Sequence, residues 1–217
     1  MIRFIILFIF SLFLISCNRI KIIRDNEVRI SENPLQIDTS FYSVIKDSFG
    51  LDEIDTVDIN YGSLRPKVNI ALGIKYRRTD NVLFWNGCMF PAGVNLIIQD
   101  SSGFHMIWNK EGLKRYFLPI ETKEEALSYI YAATGLSPSY DFKIKSHFRQ
   151  FIDTIRTTYS IELNNGFEVN LFDYELCGCG PHTHFMIKYM VSFEGDIQEL
   201  ERIDLYEDPK EDGLCID

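Results

Sequence analysis

The chain has 217 residues, of which 46% are apolar, 14% aromatic and 24% charged. These are the proportions of an ordinary globular protein, and they exclude bulk disorder and a polytopic membrane protein. Its 22 basic and 31 acidic residues leave a formal charge of −9, and with no basic stripe this argues against nucleic acid as a partner.

Met1-Ile2-Arg3 is a short positively charged start, followed from Phe4 to Ser16 by eleven apolar residues and two serines. Thirteen residues make about 20 Å of helix, too short for a ~30 Å hydrocarbon core but suited to the apolar region of an export signal. The run ends in Leu14-Ile15-Ser16-Cys17. This resembles the lipobox of bacterial lipoproteins. The resemblance implies that the Cys17 thiol receives a diacylglycerol, that residues 1–16 are removed, and that the new amino terminus is acylated. It also implies a cell-envelope location, lipid-anchored to a bacterial membrane and facing the periplasm or exterior. A plain secretory signal with a coincidental cysteine, or a short membrane anchor, are the competing readings. Residues 17–34 read as a lipidated tether. Arg19, Lys21 and Arg24 within it can add modest attraction to anionic headgroups or simply be solvated.

The remainder, 35–206, reads as one α+β domain. Asp38 to Phe49 is expected to be a helix, capped by Asp38 or Thr39, with Phe41, Val44, Ile45 and Phe49 as its apolar stripe and Gly50 as its stop. Val68, Ile70, Leu72, Ile74 and Tyr76 alternate with Asn69, Ala71, Gly73 and Lys75, the period of a half-buried strand. Val82 to Phe90 is a second strand candidate. Val94 to Gln99 and Phe104 to Asn109 flank a hairpin loop at residues 100–103. Thr122 to Thr134 carries the strongest helix pattern, with a Thr122/Glu125 capping box and Gly135 at the end. Ile155 to Leu163 and Phe167 to Tyr174 form a hairpin over Asn164-Asn165-Gly166. Phe185 to Phe193 alternates again, and Glu194-Gly195-Asp196 turns the chain into a last strand, Ile197 to Tyr206.

These hairpins predict antiparallel meander sheets with helices packed on one face, in two possible helix-plus-strands lobes, 35–115 and 116–206. Residues 207–217 read as an acidic tail. The second half resembles a PepSY-type unit, through Glu124-Glu125-Ala126-Leu127 and then Val191, Gly195 and Ile197. The resemblance covers about 85 residues, and the insertion at 175–184 departs from the pattern.

Chemistry concentrates in Cys177-Gly178-Cys179-Gly180-Pro181-His182-Thr183-His184, which holds half of the four histidines. Glycines and proline make it a loop between strands. Cys177, Cys179, His182 and His184 form a ligand set soft enough for Zn or Cu, although the spacing is not that of a zinc finger. With Cys17 acylated, four cysteines remain, Cys88, Cys177, Cys179 and Cys215, and an exported protein favours their oxidation. A Cys177–Cys179 bond closes a strained ring, so pairing of one with Cys88 and the other with Cys215 is the easier arrangement. A redox-active thiol pair and inert thiols are further alternatives.

Other groups carry less. Asp52, Glu53, Asp55 and Asp58 lack the order and glycine of an EF-hand. Trp85, Trp108, Tyr116 and Phe117 can line a ligand groove or fill the core. His105 and His147 stand alone, and no G-x-S-x-G, H-E-x-x-H or P-loop occurs. The expected function is therefore a membrane-anchored envelope lipoprotein, a non-enzymatic binding or interaction module for a protein or small molecule. No cofactor is required. The alternatives are a Zn- or Cu-binding lipoprotein using the cysteine–histidine loop, or an enzyme of the thiol oxidoreductase or hydrolase kind.

Overall fold

The computed structural model describes residues 20–76 and 80–216. The signal-like segment and Cys17 lie outside the described residues. Among the described residues no helix is long and apolar enough to cross a membrane. The fold is α+β, built on antiparallel meander sheets.

In chain order the main elements are α1 (Tyr42–Phe49), β1 (Glu53–Asp55), β2 (Asn69–Lys75), β3 (Phe84–Asn86), β4 (Ala92–Asp100), β5 (Gly103–Ile107), α2 (Lys110–Tyr116), α3 (Lys123–Thr134), β6 (Ser160–Leu163), β7 (Gly166–Tyr174), β8 (Thr183–Ser192) and β9 (Ile197–Glu207). The first sheet centres on the antiparallel pair β2 and β4. β1 and the short strand Leu35–Gln36 lie beyond β2, and β3 and β5 share the far side of β4. The second sheet runs β6, β7, β8, β9 and then Arg149–Gln150, antiparallel throughout.

Strand alternation decides which residues meet. On β7, Phe167, Val169 and Leu171 face inward, and on β8 Ile187, Tyr189 and Val191 do the same; all join a core with α3 and with Ile70, Leu96, Ile98 and Ile107 of the first sheet. α3 thus lies between the two sheets. Its alanines 126, 132 and 133 are buried beside Leu127, Tyr129 and Ile130, and their small side chains suit close packing. Its start is a complete capping box, with the Thr122 hydroxyl accepting from the Glu125 amide and the Glu125 carboxylate accepting from the Thr122 amide. The polar groups that α3 buries are satisfied. Ser128 donates to the Asn60 carbonyl and accepts from the Ser63 amide, and the Tyr129 hydroxyl donates to the Gly195 carbonyl.

α1 covers the other face of the first sheet through Ile45, against Ile37, Leu51, Ala71 and Ile97. Its buried stripe is Tyr42, Ile45 and Phe49; Phe41 and Val44, expected on that stripe, are exposed. The outer face of the second sheet carries Phe172, Met186 and Leu205, covered by Ile155 and, partly buried, by Ile20, Ile22, Phe142 and Ile144. One core cluster spans both halves of the chain, so the lobes 35–115 and 116–206 do not have separate interiors.

Several sequence expectations need correction. Residues 20–34 are not a tether. Lys21–Ile23 pairs in parallel with Thr154–Arg156, and Val28 and Ile30 are buried in the main core. The parallel partner lies more than 130 residues away along the chain, beyond the reach of local periodicity. The 207–217 stretch is not a loose acidic tail either. Asp208 caps a 3₁₀ turn at Pro209–Glu211, and Cys215–Ile216 pairs with Gly178–Cys179. The strand expected over Val82 to Phe90 is only Phe84–Asn86, and the strand expected over Ile155 to Leu163 is divided at 157–159. α2 had no sequence expectation; the Asn109 side chain caps it by accepting from the Gly112 amide.

Candidate functional site

The Cys177–His184 loop leaves the end of β7 and returns as β8. Cys177 and Cys179, one residue apart, diverge to different partners. Cys177 is bonded to Cys88, with Cα atoms 5.3 Å apart, and Cys179 to Cys215, with Cα atoms 4.0 Å apart. Cys179 and Cys215 are directly opposed in a short antiparallel ladder, which brings the C-terminal segment against the loop. Gly180 permits the close approach, because a Cβ there would lie 2.1 Å from the Glu211 carbonyl oxygen.

The histidines take structural positions. His182 is buried, with Nδ1 2.8 Å from the Glu175 carbonyl oxygen and Nε2 3.2 Å from that of Leu214. His184 is stacked between its cross-strand neighbours Tyr174 and Tyr206, at 4.4 Å between centroids on each side. Phe148 continues the row on Tyr206. The metal reading of Cys177, Cys179, His182 and His184 is therefore corrected. All four sulfurs are in bonds, both His182 nitrogens face backbone carbonyls, and no group of three or more His, Cys, Asp or Glu residues able to hold an ion occurs among the described residues.

Burial holds the His184 imidazole below its ordinary pKa, with Glu211 opposing more weakly. The folded state thus resists protonation that the unfolded chain accepts. The stability this contributes is fully present above the unfolded value near 6.5 and is lost as pH falls through it toward the lower folded value. His184→Phe, which keeps an aromatic ring between the tyrosines, is expected to have a melting temperature that falls less between pH 7 and pH 5 than that of the parent. Equal slopes in a pH series of thermal melts would remove His184 as the cause.

Beside this stack lies a cleft of about 580 Å³. One wall is Trp85-Asn86-Gly87, a second is residues 135–139 after α3, and the floor is the end of β7 with Leu176, Cys177 and His184. The Cys88–Cys177 bond joins the first wall to the floor. Trp85 is held at the rim by its cross-strand partner Gly93, where a Cβ would fall 3.1 Å from the indole and 2.4 Å from Val82 Cγ1. Trp85 stays 41% exposed, and the following loop displays Met89 and Phe90, the latter 82% exposed. The polar lining is Asn86, Ser137, Ser139, Asp173, Tyr174 and His184, with no lysine or arginine among the described residues. Burial, and then its hydrogen bond to Glu211, push the Tyr174 phenol up to about 12, so it remains a donor.

The other sequence candidates are dispersed. Asp52 accepts from the Tyr76 amide, Asp55 from the Thr56 amide, and Asp58 from the Asn60 amide and the Tyr131 hydroxyl. Phe117 is core. His105, Trp108 and Tyr116 line a separate depression of about 380 Å³ with Phe104 and Arg115. His147 lies edge-on to Phe148, with Nε2 3.4 Å from Asp208. Of the groove-lining aromatics expected from sequence, the structure brings only Trp85 to the disulfide-bonded loop. Asn86, Ser137, Ser139 and Asp173 carried no sequence signal, because three distant stretches meet there. Compared with protein-family models, with curated proteins and with solved structures, the chain matches none.

Proposed function

We propose that the chain is a cell-envelope lipoprotein, anchored through Cys17, that works as a non-enzymatic binding module with the Trp85 cleft as its ligand site. The observation that carries the binding role is the cleft itself: an indole held at the rim, hydroxyl, amide and carboxylate groups inside, and a disulfide fixing wall to floor. Such a site is prearranged and loses little freedom on binding. Asp173 in the lining is paired with Arg202, and among the described residues no lysine or arginine lines the cleft, so the site suits neutral ligands and lacks a cation to hold an anion. The anchor is supported by the Leu14-Ile15-Ser16-Cys17 pattern, and two disulfides agree with an oxidising compartment.

Two measurements test this reading. Radiolabelled fatty acid should enter the parent and not Cys17→Ala; label in the variant refutes the anchor. Trp85 and Trp108 are the two tryptophans, so in Trp108→Phe the emission comes from Trp85 alone. N-acetylglucosamine oligomers should shift that emission and polygalacturonate should not. No shift with any neutral probe refutes the cleft as a ligand site.

A further inference from the structure

We infer that the outer face of the second sheet, covered by residues 20–25 and 139–153, lies against the headgroups of an anionic bilayer. The inference rests on the anchor at Cys17. Only Asn18 and Arg19 separate Cys17 from Ile20, three Cα–Cα steps that reach at most about 11 Å, and from Ile20 onward the chain is fixed. Ile20 and Ile22 pack on the outer face of the second sheet, and the Lys21 amide donates to the Asp153 carbonyl at 2.8 Å. A lipid on Cys17 therefore brings this face, rather than any other, to the membrane.

The covering layer has the chemistry for that position. Phe142 and Ile144 are partly buried with Ile20 and Ile22, while Lys21, Lys143 and Lys145, which alternate with them along the chain, are exposed. None of the three is in an ion pair among the described residues. Phe151 is 49% exposed beside the inward-facing Ile152, an aromatic of the kind that settles at a headgroup boundary. The two stretches carry five basic and three acidic residues, whereas the whole chain has 22 against 31. An 11 Å tether is close to the screening length of about 8–10 Å, so these lysines stay within the surface field.

The test uses the mature lipidated protein in vesicles with one-third phosphatidylglycerol and in pure phosphatidylcholine. Acetylation by a water-soluble reagent is read by mass spectrometry at Lys21, Lys143 and Lys145, with Lys46 of α1, on the opposite outer layer, as control. The three lysines should react about tenfold more slowly on the anionic vesicles, with Lys46 unchanged. Lys143→Gln with Lys145→Gln and Phe151→Ser should return Lys21 to within about twofold of its rate on neutral vesicles, since each surface lysine changes membrane affinity roughly fivefold. A chain that floats with the vesicles while all four lysines react equally refutes the docking alone. A chain that does not float refutes the anchor, and the docking falls with it.

Discussion

Deleting residues 20–34 from the otherwise intact chain is expected to abolish the cooperative thermal melt. The deletion removes the Lys21–Ile23 ladder and leaves Thr154–Arg156 unpaired. It also removes Val28 and Ile30 from the main core and uncovers Phe172, Met186 and Leu205 by taking away Ile20 and Ile22. Transfer of four aliphatic side chains is worth roughly 1.5–3 kcal/mol each when burial is complete, and Ile20 and Ile22 are only partly covered, so the sum is about 5–10 kcal/mol. That equals the whole stability of a typical domain. A truncated protein that melts sharply within a few degrees of the parent would show that this segment packs without supporting the fold.

Removal of both disulfides has the second largest expected effect. The two closed loops, 89 and 36 residues in separation, follow one another along the chain and do not overlap. Their effects on the unfolded ensemble should therefore be close to additive. The chain-entropy account gives about 4–5 kcal/mol for the first and about 4 kcal/mol for the second, and measured values are typically about 2–4 kcal/mol each. Cys88→Ser with Cys177→Ser should also loosen the Trp85 cleft, whereas Cys179→Ser with Cys215→Ser should mainly release the C-terminal segment. Urea melts of the oxidised parent and of each double variant measure both losses. A combined loss below about 1 kcal/mol would mean that the loop is held by its hydrogen bonds and ring stacking instead.

α3 was legible because several local signals agreed: Thr122 and Glu125 at one end, Gly135 at the other, and apolar residues between them. The hairpin at Asn164-Asn165 and the alternating strands β2 and β8 were legible for the same reason. α2 was missed because it is seven residues long with Gly112 inside it, too short and too weak in propensity to impose a period. Residues 20–34 were misread because Val28 and Ile30 alternate with Glu27, Arg29 and Ser31 over only five residues, too short a stretch to set a period. What fixes them is a parallel partner far along the chain. That the cysteines pair across long separations was legible from their even count and from the strain of a Cys177–Cys179 ring, but which sulfur reaches which partner depends on the sheets coming together. The cleft was the least legible part. Trp85 was visible as one candidate among four aromatics, yet the wall at 135–139 and the floor at 172–177 are loop and strand-end residues of ordinary composition.

The position of α3 between the sheets bears on how the protein must be made. By the time residue 120 has been synthesised, the first sheet has all its strands, but Ile70, Leu96, Ile98 and Ile107 still await α3 and the strands that follow it. Those strands are not complete until residue 192, and Cys88 has no partner before residue 177 emerges. A long stretch of synthesis therefore passes with one greasy sheet face bare. The nascent chain should depend on chaperones through that interval, and products that terminate between residues 120 and 190 should be sticky and quickly degraded rather than persist as a free-standing half.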